Sequence, residues 1–185
     1  MNEDIMKEKF MEIAWEEAQQ AFREDEVPVG ACVVSGGEVV ARSHNQREKR
    51  QEVTAHAEII AINQASRVLG SWRLSEAFLF VTLEPCPMCA GAIIQSRIKK
   101  VFFGARDPKW GAAGSVIDVF DRKLFPHCVE IEGGILEDKC GEILKNYFKL
   151  KRGEVAEGMK ALDSKSSRPL VAVSWVRIPL SPPNC

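Results

Sequence analysis

The sequence has no long apolar run, so nothing in it suits a membrane-spanning helix, which needs about 20 consecutive apolar residues. Its first ten residues, MNEDIMKEKF, are acidic and polar and lack the layout of a signal peptide. It has no excess of one charge: 25 Lys and Arg stand against 26 Asp and Glu, a formal net charge of −1. A globally basic protein is thereby excluded, and any nucleic acid must be met by basic residues grouped locally. There is no internal repeat. The six cysteines (Cys32, Cys86, Cys89, Cys128, Cys140, Cys185) make no disulfide scaffold in a chain of 185 residues, and reduced thiols with a metal site are the better reading. These absences predict a cytoplasmic protein with no membrane attachment.

What is present is ordinary in bulk. A composition 45% hydrophobic and 28% charged is that of a globular protein, and 185 residues favour one domain with a real core. Phe10, Ile13, Ala14, Ala18, Ala21 and Phe22 recur at helical spacing between about Met6 and Arg23, an amphipathic helix. VPVGACVV reads as a buried strand, SGGE at 35–38 as a tight turn and VVARSH as the returning strand of a hairpin. Thr54 is placed to cap a helix running to about Leu69. AFLFVTL (77–83) is a strand, Pro85 suits the start of a helix over about 86–96, and KKVFFGA is a further strand. The loop RDPKWGAAGS follows, then a short strand in VEIEGGI and a last helix in LEDKCGEILKNYFKLKR. A hairpin followed by alternating helices and strands predicts an α/β layer fold with a mixed sheet.

Beyond about Gly153 the pattern fails. Residues 154–185, rich in proline and serine, read as a disordered appendage outside a domain of residues 1–153. Within them WVRIP (175–179) back-translates to a stretch containing GGTTCGAATCC, the T-loop segment of many tRNA genes. That suggests read-through into a neighbouring tRNA gene.

The chemistry is concentrated in two short motifs, TAHAEIIAI (54–62) and VTLEPCPMCAGAII (81–94). Residues three apart share a helix face, so Cys86 and Cys89 can grip one ion; residues two apart do not, so His56 and Glu58 converge only where the chain is entering a helix. His56, Cys86 and Cys89 make three ligands of the kind zinc prefers. Helix N-termini help keep the thiols ionised. No fourth ligand stands at motif spacing, which predicts a catalytic ion with one position for water and Glu58 to handle that water's protons. A Cys-x-x-Cys alone would equally serve a redox pair, and a lone histidine is more often structural; the combination with His-x-Glu is the specific signal.

At these residues the chain resembles the zinc-dependent nucleoside and nucleobase deaminases, whose signature is His-x-Glu with Pro-Cys-x-x-Cys. REDEVPVGACVV, TAHAEIIAI, VTLEPCPMCAGAIIQSRIKKVFFGARDPKWGAAGS and ILEDKCGEILKNYFKLKR narrow the likeness to the bacterial tRNA-specific adenosine deaminases, over about residues 6–152. The resemblance implies a three-layer α/β/α cytidine deaminase-like fold around a mixed five-stranded sheet, working as a homodimer with one zinc ion per subunit and no organic cofactor. It implies hydrolysis of adenosine to inosine at the first anticodon position of a tRNA, an arginine tRNA, with the anticodon stem-loop as partner. Asn45 is implied to hold the target nucleoside and Asp107 to contact its neighbours. Val29 and Pro28 are implied as pocket wall and Phe148 as a base platform. Each has a plainer reading too, as turn or core residues. Lys109, Lys149, Lys151 and Arg152 are candidates for the RNA backbone, though a solvated helix face explains such clusters as well. Trp110 departs from the family pattern; it either stacks on a base or covers loop glycines. Two other functions share parts of the signal: a deaminase of free nucleobases or nucleosides, of guanine or cytidine type, and a non-catalytic RNA-binding module with structural zinc. Glu58 argues against the second, because a structural site has no use for that carboxylate.

Overall fold

The structure is a computed structural model, and it describes residues 3–121 and 124–165. The elements run α1 (Glu3–Arg23), β1 (Gly30–Ser35), β2 (Glu38–His44), α2 (Arg47–Arg50), α3 (Ala57–Val68), β3 (Ala77–Leu83), α4 (Pro87–Gln95), β4 (Lys100–Ala105), β5 (Glu130–Gly133) and α5 (Glu137–Lys165). The five strands form one sheet in the order β2-β1-β3-β4-β5. β1 is antiparallel to β2 and β3, while β3–β4 and β4–β5 are parallel, so the sheet is mixed as the sequence pattern predicts.

Alternation along the strands builds two layers. Val33, Leu79, Val81, Val101 and Phe103 face one way and pack with Ala57, Ala61 and Ala65 of α3 and Ala90, Ile93 and Ile94 of α4. Cys32, Val34, Phe80 and Phe102 face the other way, against Phe10, Met11 and Ala14 of α1 and Cys140 of α5. Fully burying a side chain such as Leu79 or Ile93 contributes about 1.5–3 kcal/mol, and both are 0% exposed. Phe80 and Phe102 stack with centroids 4.6 Å apart. Cys32 and Cys140 are free, buried thiols in this second layer, and burial pushes both up to about 12.

The hairpin turn has both glycines at positive φ, Gly36 at 60° and Gly37 at 83°, the backbone that a tight two-residue connection demands. Gly30 at the head of β1 has a different reason: a Cβ there would strike the Ala14 carbonyl and the Ala18 nitrogen of α1. α1 therefore lies directly on the strand through its buried Ala14, Ala18 and Ala21 stripe.

Three boundaries differ from the sequence reading. The N-cap of α3 is His56, not Thr54, because Ala55 and His56 first close turns on Glu52 and Thr54 (3.1 and 2.8 Å). The proline in the first turn of α4 is Pro87, and Pro85 precedes the helix. Helix α5 continues to Lys165 where a disordered tail was expected from residue 154. EVAEGMKALDSK is dominated by strong helix formers, and its one glycine, Gly158, costs only about 1 kcal/mol against alanine. The remainder of that tail, with WVRIP, lies outside the described residues. The chain divides into two units between Phe148 and Lys149. Among the described residues no helix is long and apolar enough to cross a membrane.

Candidate metal and catalytic site

The two motifs meet at two helix heads. His56 is the N-cap of α3 with extended backbone (φ −77°, ψ 152°), and Cys86 is the N-cap of α4 (φ −75°, ψ 169°). Neither side chain caps its own helix, so both are free to turn outward. Because His56 has not yet entered the helical spiral, its imidazole and the carboxyl of Glu58 in the first turn can converge. That answers how residues two apart cooperate.

The Nδ1 atom of His56 lies 3.7 Å from Cys86 Sγ and 3.5 Å from Cys89 Sγ. All three ligand atoms lie within 4.8 Å of one another. A tetrahedral zinc ion with Zn–S of about 2.3 Å and Zn–N of about 2.0–2.1 Å sets N···S edges of about 3.6 Å. The observed pair brackets that figure, so the donor set fits in both size and chemistry. Among the described residues no fourth His, Cys, Asp or Glu joins the cluster.

The Cys86 thiol is drawn down to about 4 by the hydrogen bond from Cys89 and then by His56, against the effect of burial. The Cys89 thiol is pushed up by its bond to Cys86 and by burial. His56 is raised, first by its bond to Cys86 and then by the charge of Glu58. Glu58 is 4% exposed and burial pushes its carboxyl upward, opposed by a bond from its own backbone and by the charge of His56.

Residues implied by resemblance fall around three further features. Asn45 directly follows β2 and is 6% exposed; its backbone N–H donates to the Val29 carbonyl at 2.9 Å and its Nδ2 to Glu26 Oε2 at 3.0 Å. Val29 is 9% exposed and Pro28 is buried beside it. Asp107 is half-buried and opens a turn, its Oδ1 accepting the Lys109 N–H at 2.9 Å. Phe148 is exposed and sits edge-on to Tyr147, whose hydroxyl donates to the Asp25 carbonyl at 3.0 Å. Lys149, Lys151 and Arg152 belong to the second unit.

Two carboxylates were missed by sequence reasoning. Glu26 is fully buried and accepts from Asn45 and from the Glu48 and Lys49 N–H groups of α2 (3.2 and 2.7 Å). Glu84 is 2% exposed and accepts from the N–H groups of Asp107 (3.1 Å), Ala113 (2.9 Å) and Ser115 (3.1 Å) and from the Ser115 hydroxyl. Burial pushes Glu84 upward, but those donors outweigh it and hold the carboxyl below its ordinary value. Glu84 precedes Cys86 by two residues and so fastens the loop 106–118 to the metal cluster. Cys128 is exposed and, among the described residues, joins no metal cluster with His127. A cavity of about 470 Å³ opens along Lys100, Phe103, Phe120 and Gly133 and contains none of the four site residues.

Residues 5–152 match a family model described as MafB19-like deaminase. A tRNA-specific adenosine deaminase of Bacillus subtilis (strain 168) is 46% identical over 155 residues, 84% of this chain and 96% of that one. The chain belongs to the tRNA-specific adenosine deaminase family. A member from Agrobacterium fabrum (strain C58 / ATCC 33970) is likewise 46% identical over 143 residues, 77% of this chain and 94% of that protein. A solved structure described under A-to-I editing by tRNA:A34 deaminases at the wobble position superposes with a TM-score of 0.71 at 46% identity, covering 74% of this chain and 99% of the other. The family and the sheet topology together bear out the cytidine deaminase-like α/β fold.

Proposed function

We propose that this enzyme hydrolyses adenosine to inosine at the first anticodon position of a tRNA, an arginine tRNA, acting in the cytoplasm as a homodimer. The observation that carries the reading is the buried Glu58 carboxyl beside three converging zinc-type ligands. His56, Cys86 and Cys89 would hold one zinc ion per subunit. Bound there, zinc supplies a water made acidic enough to react near neutral pH.

The protein's own part is proton handling, by the route common to the zinc deaminases. Glu58 accepts a proton from the attacking water and delivers it to N1 of the adenine. The water oxygen bonds to C6. Glu58 then moves the remaining hydroxyl proton to the amino nitrogen, the C6–N bond breaks, and ammonia leaves with C6 as a carbonyl. A raised carboxyl suits this double duty, because the group must hold a proton as readily as it gives one up.

Asn45 is held in place by Glu26 and holds the target nucleoside, with Val29 and Pro28 as wall. Asp107 contacts the flanking nucleotides and Phe148 offers a base platform. Lys109, Lys149, Lys151 and Arg152 meet phosphates. An anticodon loop suits the site because its bases are unpaired and can be splayed outward. The domain ends near residue 153, a boundary supported by the end of the family match at 152. The residues after it are an appendage of read-through origin, which genomic sequence lacking an adjoining tRNA gene would refute.

The test is incubation of the zinc-loaded protein with adenosine-bearing anticodon stem-loops, including that of an arginine tRNA, and separately with free adenosine, guanine and cytidine. Inosine in the arginine stem-loop alone is the expected result. Turnover of free compounds only makes the enzyme a small-molecule deaminase.

A further inference from the structure

The loop 106–118 is held by its own backbone, by two of its own carboxylates and by Glu84 and Pro85 beneath it. Gly111 N–H donates to Asp107, Val116 and Ile117 N–H to Gly111, Gly114 N–H to Ile117 and Val119 N–H to Ala112, at 2.9–3.2 Å. Asp107 and Asp118 carboxylates close two further turns on Lys109 and Phe120. Glu84 gathers the Asp107, Ala113 and Ser115 donors, and Ala112 N–H reaches the Pro85 carbonyl at 2.9 Å. Trp110 takes no part in this and is 68% exposed. Nor does it cover Gly114, where the side on which a Cβ would stand faces open space.

An indole so exposed on so rigid a loop is a platform. Its place relative to the chemistry is bounded by the chain. Trp110 is two residues, at about 3.8 Å each, from Ala112, which is bonded to Pro85, the neighbour of Cys86. Lys109 and Arg106 are exposed on the same loop. An aromatic face with cations beside it is what unpaired nucleotides meet: the ring stacks on a base while the cations face the backbone.

We infer that Trp110 stacks on an unpaired base flanking the target adenosine. It is thus a substrate-binding residue of this chain beyond those the resemblance implies. The inference rests on the RNA-deaminase reading above. The loop is held before the RNA arrives, so little ordering is left to oppose stacking.

The test uses the zinc-loaded full chain, wild type beside Trp110→Ala and Trp110→Phe, and an adenosine-bearing anticodon stem-loop. Binding is read by fluorescence anisotropy of labelled RNA and inosine by single-turnover assay. Base–aromatic stacking lost to alanine weakens binding about 5- to 150-fold, and phenylalanine recovers most of it. Removing the stacked base, by an abasic nucleotide on one side of the adenosine or the other, should abolish the difference between wild type and Trp110→Ala at one position. Binding by Trp110→Ala within about twofold of wild type overturns the inference, as does a deficit that persists against every abasic loop. Metal content and melting temperature of Trp110→Ala stay close to wild-type values, because the side chain is largely exposed. Absence of inosine from the wild-type protein refutes the deaminase reading, and the binding arms still decide Trp110.

Discussion

Glu58 and Glu84 are both buried glutamates, each two residues from a metal-ligand position, yet their surroundings treat them in opposite ways. Four donors from the loop 106–118 converge on Glu84, and its carboxyl is held low and ionised. Against burial Glu58 has its own backbone N–H, the charge of His56 and a bond from Cys89, and its carboxyl is still pushed high. A carboxylate surrounded by N–H groups is a fixed anchor; one with few donors is a group whose proton can move. Position two residues from a ligand-type side chain does not distinguish the two carboxylates, but the count of donors does.

The largest effect expected separates the proton carrier from the ion. Glu58→Gln should cut inosine formation by about 10²–10⁴-fold with zinc retained, measured as turnover and bound metal on one sample. Near-normal turnover would assign the proton transfers elsewhere. Cys86→Ala should lose as much activity for another reason, with metal content falling alongside it.

Glu84→Ala should act on the fold before the chemistry. Stripping one acceptor from several buried N–H groups costs about 3 kcal/mol of stability, seen as a lower urea midpoint. A variant as stable as wild type would mean that water replaces the carboxylate and that Glu84 is no anchor. The comparison also has a pH signature. Because the folded carboxyl of Glu84 is lowered, its contribution is present above the unfolded value of about 4.3 and is lost as pH falls through the folded one. Acid titration of stability should therefore be flatter in Glu84→Gln than in wild type below about pH 4.3. The smallest effect lies on the loop that Glu84 holds: Lys109→Ala should weaken binding of every stem-loop alike and reduce the salt slope by about one.

The four central residues were legible because their chemistry is local: a histidine and a glutamate two apart, two cysteines three apart, each pair at a helix head. Glu26 and Glu84 were not. Their partners are backbone N–H groups 22 to 31 residues away, and an N–H leaves no mark on residue type. The sheet was readable from strand alternation and its order was not, since β1 lies between β2 and β3. The helix starts slipped by two residues at Thr54 and Pro85 because the N-cap positions are held by His56 and Cys86, which are not capping types and make no cap hydrogen bond. The end of α5 slipped for a different reason: glycine at 153 and 158 weakens a helix without stopping it, and no proline intervenes before residue 166.

Gly30 carries a last consequence. The residue directly after Pro28 and Val29 meets α1 with hydrogen alone, so the two backbones set each other's distance. The outward face of α1 can therefore drift in sequence at little expense to the enzyme. One methyl group added at residue 30 would lever the helix off the strand and shift whatever those two neighbours line. Diversification has room on the solvent face of the first helix and almost none at this one hydrogen.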